Sequence, residues 1–280
     1  MREVLVVANQ TLAGRRLLEE VRARAAEGET RFHLVVPQTK PGAGLVIYDE
    51  AVRNASQVRA NLAMSIMATE GIEAFAEVGD ADPFSATMDA MSMRRPDEII
   101  ISTKPATQSG WLRRDLIERI EHATNVPVTH IVTDLDEEGL PFKVTLVVAN
   151  RTSGGEELIE HLQNKAAGDA EHLFIAVVPQ QGGDGAATSR ARERLAAMLA
   201  RLEETGLLAS GLIGDPDPYT ATVNALALFR VDDIVISTLP GERSGWLRAD
   251  VLERVRRAAK VPVEHVEVPE REAAPAGDGS

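Results

Sequence analysis

The chain says nearly the same thing twice, and that constrains its fold more than any other feature. Gly79-Asp80-Ala81-Asp82-Pro83 returns as Gly214-Asp215-Pro216-Asp217-Pro218, and Ser109-Gly110-Trp111-Leu112-Arg113 as Ser244-Gly245-Trp246-Leu247-Arg248. Ile101-Ser102-Thr103 recurs as Ile236-Ser237-Thr238, and Val126-Pro127-Val128 with His130 as Val261-Pro262-Val263 with His265, all at an offset of 135 residues. Nearer the start, Leu5-Val6-Val7-Ala8-Asn9 matches Leu146-Val147-Val148-Ala149-Asn150 at an offset of 141, the difference being a change in loop length. Two copies of one domain, each large enough to bury its own core, are therefore expected.

Within one copy, Val4 to Ala8 is an unbroken apolar run, the pattern of a strand buried on both faces. Residues 12–27 read as a helix with Leu17, Leu18, Val21 and Ala25 along one side. Phe32 to Val36 is a second strand, closed by Pro37 and followed by a Pro- and Gly-rich loop over 38–48. Ala51, Ala55, Val58, Leu62 and Ile66 trace a helical stripe, and Ile72 to Val78 is a third strand. Asp82 with Pro83 is a strong helix start. Ile99 to Ile101 lies in a fourth strand, Trp111 to Ala123 in a helix and Val126 to Val132 in the last strand. This β-α alternation, repeated from Val144 to Val268, predicts parallel sheets covered on both faces. The expected fold class is α/β: two tandem five-stranded parallel-sheet sandwiches, Rossmann-like and related by a pseudo-two-fold. The domains are placed at 1–136 and 143–268. Asp134 to Pro141 reads as a linker, and 269–280 has nothing to bury and reads as a disordered tail.

A net charge of −13 opposes nucleic-acid phosphates and anionic membrane surfaces, so neither is an expected partner. Cysteine is absent, which removes disulfide and thiolate chemistry. No apolar run approaches the ~20 residues of a membrane span, and Met1-Arg2-Glu3 leads into a strand without a signal-peptide layout. A soluble, cytoplasmic protein is the expectation. His130 and His265 have no further His, Asp or Glu at metal-ligand spacing and read as sheet-face or interface histidines, so no metal is expected. No nucleophile elbow, His-Glu-x-x-His, Walker loop or Gly-x-Gly-x-x-Gly occurs. The chain reads as non-catalytic.

In open α/β sheets ligands sit beyond the carboxyl ends of strands, and three loops of that kind match between the copies. The first gives Asn9 and Thr11, with Asn150 and Thr152. The second gives Gly79 and Asp80, with Gly214 and Asp215. The third gives Ser102, Thr103, Ser109, Gly110 and Arg113, with Ser237, Thr238, Ser244, Gly245 and Arg248. Ser-Gly-Trp, read as the opening of a helix, would offer free N–H groups to an anion such as phosphate, with Ser109 or Ser244 and Arg113 or Arg248 assisting. Ser109 also suits a plain N-cap, with Trp111 on the sheet. Asp82 and Asp217 read as caps, whereas Asp80 and Asp215 are free for a ribose hydroxyl or a metal-bound water. Asn9 and Asn150 suit either a turn or an adenine edge.

Several of these residues, in their order, resemble the universal stress protein family in its two-domain form. The first strand ends in a polar residue, Asn9 or Asn150. The third ends in Gly79 or Gly214 before an Ala-rich helix. The fourth ends in Ser102 or Ser237 and leads to Ser-Gly, with Glu118-Arg119 or Glu253-Arg254 in the last helix. Val-Pro-Val closes each copy like the family's final strand. The resemblance implies one small-molecule site per half, for ATP or another adenine nucleotide or a phosphate-containing ligand, in stress response or regulation. It departs at the phosphate loop: Ser102 and Pro105 stand where the family's two glycines belong, and the later Gly-Ser pair is missing. A nucleotide-independent scaffold with degenerate pockets is the competing expectation. The resemblance also implies dimerisation through the last strand, so that 127–132 and 262–268 would pair within one chain as an intramolecular pseudo-dimer, with a homodimer of tandem chains as a further assembly.

Overall fold

A computed structural model describes residues 1–39, 49–112, 115–168, 171–180, 182, 185–241, 245–248 and 250–269, with the backbone alone at 247 and 248. Two five-stranded sheets, parallel throughout, form the molecule. The first contains β1 (Arg2–Val7), β2 (Thr30–Pro37), β3 (Ala74–Gly79), β4 (Glu98–Thr103) and β5 (Val128–Val132) in the order β3-β2-β1-β4-β5. The second contains β6 (Lys143–Val148), β7 (His172–Pro179), β8 (Leu208–Gly214), β9 (Asp233–Thr238) and β10 (Val263–Glu267) in the equivalent order β8-β7-β6-β9-β10. The α/β class follows from the near-continuous apolar strands, which leave both faces of each sheet to be covered.

In the first lobe, α1 (Arg15–Ala26) and α2 (Asp49–Thr69) cover one face through Leu17, Val21, Ala60, Ala63 and Met67. On the other face lie α3 (Pro83–Met93) and α4 (Leu116–Ala123), through Ala86, Ala90, Leu116 and Ile120. The helix α5 (Leu135–Glu138), capped by Asp134, stands in the segment expected to be a bare linker. The second lobe repeats the scheme with α6 (Glu156–Ala166), α7 (Gly185–Glu204), α8 (Pro218–Leu228), α9 (Gly245–Arg248) and α10 (Val251–Ala258). Both Asp-Pro starts form as the sequence predicts: Asp82 accepts from Ser85 N at 3.1 Å and Asp217 from Thr220 N at 3.0 Å. Of the expected tail, only Pro269 falls among the described residues.

Two expectations are corrected. The helix expected from Trp111 begins at Leu116, because Asp115 sits in the left-handed region at φ 49° and separates the Ser-Gly-Trp turn from the helix. Asp250, at φ 50°, separates α9 from α10 in the same way. Asp tolerates this conformation better than most L-residues, so nothing in the composition announces the break.

The second correction concerns how the lobes meet. The last strands do not pair: β5 is bonded to β4 alone and β10 to β9 alone, so the intramolecular pseudo-dimer through these edges does not form. Instead α2 belongs to two cores. Ala60, Ala63 and Met67 face the first sheet, while Ala55, Val58, Leu62 and Ile66 join the core of the second sheet beside Leu173, Ile175 and Leu212. The docking is one-sided, and the aligned residues give the reason. At the positions of Ala55, Val58 and Ile66, α7 carries Arg190, Glu193 and Arg201. Where the second sheet offers Leu173, Ile175 and Leu212, the first offers Arg31, His33 and Glu77. A charged helix face gains nothing by covering a charged sheet face.

Candidate ligand crevice at the strand tips

In each sheet the first and fourth strands are neighbours whose connections leave toward opposite faces, and a crevice opens at their carboxyl ends. In the first lobe this crevice runs into a cavity of about 730 Å³, a size that holds small molecules. Asn9, Thr11, Ser102, Thr103, Ser109 and Gly110 all lie on its wall. Six of the expected site residues are therefore brought together.

Hydrogen bonds fix this wall. Thr11 Oγ1 donates to the Ser102 carbonyl at 3.0 Å, tying the tip of β1 to that of β4. Thr152 does the same to Ser237 at 3.1 Å. Thr103 Oγ1 and His130 Nε2 lie 2.9 Å apart, and Thr238 and His265 2.8 Å, so each histidine serves its strand neighbour, as its sheet-face reading implies. Ser109 is buried and its Oγ accepts from Leu112 N at 3.3 Å. That is the local-capping alternative, applied to a turn rather than to α4.

Other expected residues have different tasks. A Cβ on Gly79 would stand 2.7 Å from the Ala86 Cβ, and one on Gly214 2.6 Å from the Ala221 Cβ. These glycines let a helix approach its sheet closely. Asp80 and Asp215 accept from the backbone N–H of Asp82 and Asp217 at 2.8 and 2.9 Å, closing turns ahead of the caps. None of these four lines the cavity. Arg113, Ser244 and the Arg248 side chain lie outside the described residues, and Gly245 opens the short α9.

The residues that the sequence reading missed are the cations. Arg59 on α2 and Lys104 after β4 both line the cavity. The Arg59 guanidinium donates to the carbonyl of Leu228 at the end of α8 and lies 5.2 Å from the centre of the Phe229 ring. Among the described residues neither cation has a carboxylate in ion-pair range. Burial pushes the Arg59 pKa down to about 10. It also lowers that of Lys104, helped by the charges of Arg59 and Arg230 and opposed by Asp136. Arg230 is neutralised by Asp136 at 2.8 Å. The wall thus carries an excess of positive charge in a molecule of net charge −13.

Repeat alignment makes Arg59 the counterpart of Arg194 on α7, at the offset of 135. Arg194 stays within its own lobe and donates to Asn150 Oδ1 at 2.6 Å, while Asn150 Nδ2 donates to the Pro179 carbonyl at 2.7 Å. In the first lobe Asn9 Nδ2 makes the equivalent bond to the Pro37 carbonyl, but Arg59 has crossed to the other lobe. Asn9 Oδ1 is left buried without a partner among the described residues. The two crevices, alike in sequence, are unlike in chemistry.

Among the described residues no group of His, Asp and Glu is placed to hold a metal ion, and no helix is long and apolar enough to cross a membrane. No protein-family model matches the chain, and no curated protein does. Among solved structures, the chain is similar to a universal stress protein from Archaeoglobus fulgidus DSM 4304, at 19% identity over 96% of this chain and 97% of that one, with a TM-score of 0.35. The fold class itself rests on the strand order of the two sheets.

Proposed function

We propose that the chain is a non-catalytic, cytoplasmic binding protein of the universal stress type, taking a nucleotide or another phosphate-containing small molecule at the strand tips of its first lobe. The observation that carries this reading is the pair of cations, Arg59 and Lys104, both lining the cavity without a carboxylate partner among the described residues. Both side chains are half-buried and still meet solvent, and an anionic ligand would supply the charge partner that no described residue gives them. Of the two hydroxyls at the tip of β4, that of Thr103 is taken up by His130 at 2.9 Å, which leaves that of Ser102 to help complete an anion's hydrogen bonds. Pro105, which has no N–H to give, argues against a phosphate cradle built from backbone groups. Titration calorimetry with ATP, ADP, AMP and cyclic nucleotides tests the reading. Heat with at least one of them, diminished in Lys104→Ala, is expected; no heat with any of them or with inorganic phosphate would sink it.

A nucleotide-independent scaffold is the second reading, and one surface favours it. Over β2 and β3 the first sheet keeps a patch with Phe75, Arg94 stacked 4.4 Å above its ring, and Met93 at 62% exposure. The equivalent patch of the second lobe is covered by α2. Affinity capture of one reproducible partner, insensitive to added nucleotide and lost in Met93→Glu, would support this role.

A further inference from the structure

The two lobes hold the same arginine in two different positions, and we propose that Arg59 is a two-position latch: bonded to the second lobe in this structure, and able to swing back onto Asn9 of its own lobe. Its outer seat is the carbonyl of Leu228, the last residue of α8, with the Phe229 ring centre 5.2 Å away. Both suit a guanidinium, since a helix C-terminus carries partial negative charge and an aromatic face attracts a cation. The inner seat is Asn9 Oδ1, which is buried and has no partner among the described residues. A buried acceptor left without a donor is costly, so this seat competes for a donor within reach. Asn9 and Arg59 line the same cavity.

The second lobe shows that the reach is sufficient. There Arg194, the counterpart of Arg59, donates to Asn150 Oδ1 at 2.6 Å, while Asn150 Nδ2 holds the Pro179 carbonyl as Asn9 Nδ2 holds that of Pro37. The helices carry the two arginines in the same register. Ala63 and Met67 of α2 pack on the first sheet, and Met198 and Leu202 of α7, at the offset of 135, pack on the second. Both helices also end alike: Ile72 N donates to the Met67 carbonyl and Leu207 N to that of Leu202, each at 2.9 Å. What differs is the outer seat. The first lobe carries Met93 and Arg94 where the second has Leu228 and Phe229, so it offers no ring to an arginine. Arg194 thus has one seat and Arg59 has two. The choice couples Asn9 to the contact between lobes, because a ligand group that donates to Asn9 Oδ1 would close the inner seat and keep Arg59 on the second lobe.

Side-chain NMR of the full chain tests the latch, with Asn150 and Arg194 as a built-in reference for the inner position. Phe229→Leu weakens the outer seat and keeps the site apolar. The Asn9 carboxamide and Arg59 Nε–H signals should then move together toward those of Asn150 and Arg194. Phe229→Met makes the same reading if Phe229→Leu does not fold. Adding Arg59→Ala to either variant should return the Asn9 signal to its wild-type position, since Asn9 Oδ1 again has no donor. The latch does not require an anionic ligand, so these signals decide it whether or not the crevice binds phosphate. An Asn9 signal that ignores the loss of the ring, or that responds equally when Arg59 is absent, would overturn the proposal.

Discussion

Asn9 and Asn150 occupy the same place in the repeat and make different numbers of bonds, which turns the pair into an internal control. Both amides donate to a proline carbonyl, but only Asn150 also accepts from an arginine. Replacing Asn150 by Ala should therefore cost about 1–2 kcal/mol more than the same change at Asn9, since a bond to a charged donor is lost and Arg194 is stranded. Urea melts of the two single variants would show it, and equal costs would contradict the asymmetry. Neither the orphaned Asn9 oxygen nor the cationic wall was legible in the sequence. Asn9, Thr11, Ser102 and Ser109 announced themselves by recurring, whereas Lys104 faces a leucine in the other copy. Arg59 does recur, as Arg194, but it lies in mid-helix, far along the chain from any strand tip. Repetition finds what two lobes share, and this site depends on how they differ.

At the scale of elements, the strands and the Asp-Pro helix starts were readable because each rests on local chemistry: apolar runs, cap preference and the fixed φ of proline. The start of α4 was not, because a single left-handed Asp115 decides it. Nor could the stripe Ala55-Val58-Leu62-Ile66 say which sheet it would meet. Periodicity reports that a face is buried, not against what. The comparison with α7 supplies the missing information and a sharp test. Val58→Glu places in α2 the residue that α7 carries at the equivalent position, Glu193. With Val58 1% exposed, the change buries a carboxylate without a partner and should cost about 3 kcal/mol or more. The reverse change, Glu193→Val on a solvent-facing helix side, should stay within about 0.5 kcal/mol. Denaturant midpoints of both variants decide the matter, and similar costs would mean that α2 does not dock as described.

Across the whole molecule, stability should depend on pH through four histidines, His33, His130, His172 and His265, since burial lowers the pKa of each. His33 stacks on Phe75 and His172 on Phe174, with ring centres 4.1 and 4.7 Å apart. Burial lowers both pKa values, against the opposing pull of Glu77 on His33, where Arg94 assists, and of Asp233 on His172, where Lys165 assists. The unfolded chain, with histidines near their ordinary value of about 6.5, then binds protons more readily than the folded one. The stabilisation is complete above that value and fades as pH falls below it toward the lower folded-state values. Thermal melts should lose roughly 2–4 °C between pH 7.5 and 5.5. His172→Gln should flatten part of that slope, and a Tm that rises on acidification in this window would refute the assignment.

The helix α2 carries one last consequence. With one side in each lobe, it is a beam common to two rooms, and neither room can be dismantled while the other stands. Calorimetric heating should give a single endotherm rather than two. Residues 143–280 expressed alone would bare the greasy flank of β7 and β8, and should clump until something else comes to lie across it.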